Sequence, residues 1–145
     1  MSKWTQFYFK GAALLLCISA LAKATSCFQK TPILYTTDPV FNIEFKFLLA
    51  AVSGLEIIGA LICLFSDNGL LKSIYVAWLS TCFLAYRMEF MLVGYKPCPC
   101  LGFITRDIGI PHAMATFFSL FALNYMVIGA LVNLFFIVRN KHAGV

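Results

Sequence analysis

Residues 45 to 90 read FKFLLAAVSGLEIIGALICLFSDNGLLKSIYVAWLSTCFLAYRMEF, two apolar runs separated by Ser66-Asp67-Asn68-Gly69. Each run approaches the roughly 20 residues with which an α-helix crosses a bilayer core. The residues between them are turn formers, with Asn68 or Gly69 free to take positive φ, so the chain turns back antiparallel at once. The stretch predicts a helical hairpin in lipid, its arms at about 45–65 and 71–93, with Gly94 ending the second. Ala50, Gly54 and Gly59 give the first arm small surfaces for close helix contact.

Two more apolar runs flank the hairpin. The first, at about 4–26, has the uncharged centre GAALLLCISALA, with Lys10 and Lys23 near its ends, where long stems snorkel to headgroups. It also has the layout of a signal peptide: Lys3 and Lys10, then AALLLCIS, then Ala20-Leu21-Ala22 as a cleavage site. Lys10 and the aromatic flank favour a retained helix. The fourth run, at about 113–138, stops at the basic residues RNKH. Between the first and second runs, Pro32 and Asp38-Pro39 interrupt regular structure. The expected fold is all-α: one four-helix transmembrane domain over 1–145, an integral membrane bundle of antiparallel hairpins with short loops.

Composition agrees. Of 145 residues, 61% are hydrophobic and only 12% charged, outside the range of soluble globular chains. Four crossings use up most of the length, so any chemistry sits in the bundle or its loops. The formal charge of +5 comes from Lys and Arg spread along the chain, which reads as membrane-flanking charge and not as a nucleic-acid surface. The chain contains no phosphate-cradling Gly-rich loop, HExxH, nucleophile elbow or C-x-x-C-H. Redox chemistry, metal handling and scaffolding remain.

Cys17, Cys63 and Cys82 fall inside apolar runs, where cysteine packs as a small hydrophobe. Cys27, Cys98 and Cys100 fall in loops that alternating crossings put on one side of the membrane. The positive-inside rule does not say which side. Lys3, Lys10, Lys72, Arg139 and Lys141 on the terminal side nearly balance Lys23, Lys30, Lys46, Arg87, Lys96 and Arg106 opposite. In Cys98-Pro99-Cys100 the proline fixes its own φ and pushes Cys98 toward an extended conformation, so a disulfide across it closes a small strained ring, and strained disulfides are oxidising and labile. As thiolates, Cys98 and Cys100 also suit Cu(I) or Zn, with Cys27 as a third ligand.

Charge inside the bilayer is the second signal. Glu56 lies halfway along the second run, Arg87 about two turns from the end of the third, and Glu89 half a turn further. An ionised carboxylate is costly in lipid, so Glu56 is expected to be neutral, paired or turned to the bundle interior, with Arg87, at a similar depth, as its first candidate partner and Lys23 as a second. Helix register and proton delivery are both open as roles. His112, at the start of the fourth run, reads as a local hydrogen-bonding group, and Asn124 and Asn133 as interhelical ones. The run ATFFSLFALNYM either lines a quinone slot or faces lipid, and lipid needs no further explanation. Met88, Met91, Met114 and Met126 read as packing residues.

The patterns LLLCISALAKA, SGLEIIGALICLF and PCPCLG, taken together over about residues 10–138, resemble the MauE/DoxX-like family of small four-helix membrane proteins, some associated with methylamine utilisation. The resemblance implies a redox role: work with a periplasmic thioredoxin-like partner in forming or transporting disulfides, as in methylamine dehydrogenase maturation. It implies that the family's cysteine pair is Cys98 and Cys100, its basic residue at the end of the first helix Lys23, and its second-helix acid Glu56. Cys27 would then be a resolving or shuttle thiol. The family commonly has Gly between the cysteines and Phe after them, where this chain has Pro99 and Leu101. It further implies a bacterial inner-membrane protein with cytoplasmic termini and periplasmic loops. Exchange of electrons with quinone follows only by analogy with vitamin K epoxide reductase. The rival readings are a Cu or Zn carrier and a noncatalytic subunit of a membrane complex.

Overall fold

A computed structural model of the chain describes residues 3–28, 32–38, 40–92 and 112–143. They form four helices, α1 (Lys3–Phe28), α2 (Phe45–Phe65), α3 (Gly69–Leu92) and α4 (His112–Ala143), with a 3-10 turn at Pro32–Tyr35. Among the described residues the only β pairing is an isolated bridge between Thr37 and Glu44. All four helices are long and apolar enough to cross a membrane, and the chain folds as an integral membrane four-helix bundle.

The turn between α2 and α3 works by capping and not by a left-handed residue. Ser66 closes α2, its N–H donating to the Ile62 carbonyl at 3.1 Å. Asn68 Oδ1 accepts the N–H groups of Leu70 and Leu71 at 3.1 and 3.3 Å, satisfying donors that a helix start otherwise leaves unpaired. Gly69 is already helical. The only non-glycine residue with positive φ among the described residues is Asn42, at 56° in the first connection.

The closest packing lies within two antiparallel pairs, α1 with α2 and α3 with α4. The α2–α3 contact is narrower. It centres on Gly59, where an added Cβ would stand 2.8 Å from the Tyr75 ring, and on Tyr75, whose hydroxyl donates to the Leu55 carbonyl at 3.0 Å. Of the three small residues picked out in α2, only Gly59 sits at a helix contact; Gly54 meets open space and Ala50 is exposed.

Helix α1 is central. Its buried Tyr8, Phe9, Ala12, Ala13 and Leu16 recur at helical spacing and meet Ala60 and Cys63 of α2, Val76 and Leu79 of α3, and Met126 and Ala130 of α4. Ala12 and Ala13 let the neighbouring helices come close. Tyr8 reaches furthest. Its hydroxyl donates to the Met126 carbonyl at 2.7 Å, and its ring lies over Gly129, where a Cβ would fall 2.1 Å from Cε2. Phe117, Phe118 and Phe121 of α4 are exposed on the outside of the bundle, the placement expected of rings that face lipid.

The first connection folds back onto α3. Asp38 is fully buried, and its carboxylate accepts the backbone N–H groups of Val40 and Phe41, each at 2.8 Å, and the Tyr86 hydroxyl at 2.5 Å. Phe41 stacks on the Tyr86 ring with centroids 5.7 Å apart. Asp38 therefore ties the turn to the third helix. Asp38→Ala leaves two backbone donors and a phenol short of an acceptor, an expected loss of roughly 2 kcal/mol. Limited proteolysis should show the region 36–44 cut much faster in the variant while α1 and α2 stay protected.

Candidate functional site

Three of the buried charged side chains of the spanning segments, Lys23, Glu56 and Arg87, lie toward the end of the bundle where α1 and α3 finish and α2 and α4 begin; a fourth, Lys72, is buried near the opposite end, its ammonium 5.6 Å over the Phe9 ring. Side chains on a helix lean toward its N-terminus. Lys23 of α1 therefore leans back into the bundle toward Ser19, while Glu56 of antiparallel α2 leans outward to meet it. Lys23 Nζ lies 2.5 Å from Glu56 Oε1 and donates to Ser19 Oγ at 2.6 Å; Ser19 in turn donates to the same Oε1 at 2.8 Å. Lys23 is 6% and Glu56 1% exposed. One turn away on the same seam, the Ser53 hydroxyl donates to the Ala20 carbonyl at 3.0 Å.

The third helix covers the pair. The Lys23 ammonium stands 5.4 Å over the centre of the Phe83 ring, a cation–π contact freed from competition with water. Arg87, one turn further along the same face of α3, is buried and donates from Nη1 to Ser119 Oγ of α4 at 2.6 Å. The cluster is thus linked from α1 through α2 and α3 to α4.

This arrangement corrects two expectations. Glu56 pairs with Lys23 and not with Arg87: α2 packs along α1, which brings residue 56 level with residues 19–23, whereas α2 and α3 touch mainly around Gly59 and Tyr75. Lys23 does not snorkel to headgroups, because a carboxylate, a hydroxyl and an aromatic face hold it inside. A third correction concerns Asn124 and Asn133, which donate to the carbonyls of Leu120 and Gly129 in their own helix at 2.9 and 2.7 Å and not across helices. Glu89 is exposed on α3, outside the cluster.

Cys27, in the last turn of α1, is a free, half-buried thiol whose Sγ approaches the Lys46 carbonyl at 3.8 Å. Cys98 and Cys100 lie outside the described residues, as does the side chain of His112. Among the described residues no three His, Cys, Asp or Glu side chains come together as a metal site. Sequence reasoning missed Ser19, Phe83, Ser119, Asp38 and Tyr86. The spacing of Ser19 and Lys23, four apart on an otherwise apolar helix, was the available signal for the first; the others depend on packing.

No family model matches the chain, and no curated protein or solved structure matches it either. The functional reading therefore rests on the residues themselves.

Proposed function

We propose that the protein is a membrane thiol–disulfide relay of the MauE/DoxX-like kind, in which Cys98 and Cys100 exchange a disulfide with a thioredoxin-like partner in the periplasm of a bacterium. The observation that carries this reading is one of position. The sequence Cys98-Pro99-Cys100 belongs to the connection between Leu92 of α3 and His112 of α4, helix ends at the same end of the bundle as Cys27. The buried Lys23–Glu56 pair supports it, since charge kept inside a membrane bundle marks functional sites more often than it marks stability.

Exchange is balanced without an outside oxidant. A thiolate of the pair attacks the partner's disulfide, one partner sulfur leaves as a thiolate, and the second cysteine of the pair displaces the other. The pair ends as a disulfide and the partner as a dithiol that takes up the two protons the pair gave up; the reverse sequence reduces the pair. Cys27 serves as a shuttle thiol that exchanges with the pair once its disulfide has formed.

The test uses single serine variants in native membranes. Replacing the attacking cysteine abolishes the mixed disulfide, and replacing the resolving one traps it as a partner-sized adduct on non-reducing gels. Both variants should lower partner oxidation to background. Full partner oxidation in Cys98→Ser and in Cys100→Ser would refute the relay. Labelling with a membrane-impermeant maleimide from the outer face checks the orientation.

A further inference from the structure

The two hydrogen bonds that reach the Glu56 carboxylate both fall on Oε1, while Oε2 is buried and, among the described residues, has no hydrogen-bond partner. A carboxylate oxygen that is ionised, dry and without a donor is a costly arrangement, and buried polar atoms left in that state call for an explanation. A proton on Oε2 removes the charge where it is least supported. It also leaves the rest of the site standing, because Lys23 has two anchors besides the carboxylate, the Ser19 hydroxyl and the face of Phe83.

We propose that Oε2 of Glu56 is a proton-binding site inside the membrane, with Oε1 held as the carbonyl oxygen by Ser19 and Lys23. When the proton binds, the carboxylate becomes a carboxylic acid and the pair passes from neutral to singly positive, the remaining charge resting on Lys23 before the Phe83 ring. The charged and titratable groups around the site are few. On α1 they are Lys23 and, one turn on, Cys27; on α3, Arg87, hydrogen-bonded to Ser119 of α4, and Tyr86; and in the first connection, Asp38, hydrogen-bonded to that Tyr86. Glu56 is the only buried carboxylate in the spanning helices among the described residues. The site exists whether or not the thiols trade electrons. If they do, Lys23 of the pair stands one helical turn from Cys27 on α1.

The experiment is infrared difference spectroscopy of the full chain in lipid nanodiscs during a pH titration, repeated on a variant with Cys27, Cys98 and Cys100 changed to Ser. A carboxylic-acid C=O band should grow as pH falls, persist without the three thiols, and be lost in Glu56→Gln. Ser19→Ala keeps the carboxyl and removes one donor from Oε1, so the band should move to higher wavenumber. No Glu56-dependent band at any pH, as when a water occupies Oε2 and the carboxylate stays ionised, overturns the proposal. So does a band that keeps its position in Ser19→Ala. Loss of partner oxidation with the band intact bears on the relay alone.

Discussion

At a pH where Glu56 is ionised, Lys23→Met should destabilise the bundle by about 3 to 5 kcal/mol, the loss expected when one partner of a buried ion pair is removed and the other charge is left behind. The geometry sharpens the expectation. Without the ammonium, Glu56 keeps a single hydrogen bond, from Ser19, while Oε2 still has none among the described residues. The reciprocal change, Glu56→Leu, should cost less, because Lys23 keeps Ser19 and the Phe83 ring. Combining the two changes should recover most of the loss, since apolar residues of similar volume replace a buried pair at little cost or even with a gain. Reversible unfolding of the three variants in detergent–lipid bicelles measures all of this. A double variant as unstable as the sum of the singles would show that the side chains do not interact.

The second large effect is expected at Gly129. A methyl group there would fall 2.1 Å from Tyr8 Cε2 and 2.7 Å from both Cδ2 and Cζ, so something must move. The Tyr8 ring has little freedom to do so, packed against Phe9 and Tyr125 and fixed through its hydroxyl to the Met126 carbonyl. Gly129→Ala should therefore cost about 1 to 3 kcal/mol in overpacking and roughly 1 more for the Tyr8 hydrogen bond it displaces. A smaller residue opposite relieves the clash: Tyr8→Leu in the Gly129→Ala background should be less unstable than the two single losses added together. Thermal unfolding of the purified protein in lipid nanodiscs provides the comparison. An undisturbed Gly129→Ala would mean that α1 and α4 do not meet as described.

The helices could be read from the chain because hydrophobic length alone sets them. The arms at 45–65 and 71–93 and the first run overlap α2, α3 and α1 to within two residues at each end, while α4 runs to Ala143, five residues past the expected end of the fourth run. How the helices pair could not be read. A short turn makes α2 and α3 antiparallel neighbours but does not say which helix each packs on most closely; packing depends on where small residues such as Ala12, Ala13 and Gly59 face, and this made α1 the shared centre. The candidate charges followed the same rule. Glu56, Lys23 and Arg87 stood out because ionisable residues in lipid are rare, but choosing the partner of Glu56 required the register of α1 against α2. Asp38 gave no signal, as an aspartate before proline in a polar stretch is ordinary until a tyrosine from a distant helix is found against it.

The Lys23–Glu56 bond also bears on how the chain is made. The first helix leaves the ribosome some thirty residues before the acid that neutralises its lysine, so for a time the ammonium has no counterion in reach. Its place five residues from the end of that helix allows it to wait among lipid headgroups, then swing inward once the second helix has entered. Insertion and folding are thereby ordered in time: the nascent bundle cannot close its interior until two crossings are complete, and a pause or error in delivering the second would leave the first still anchored at the surface.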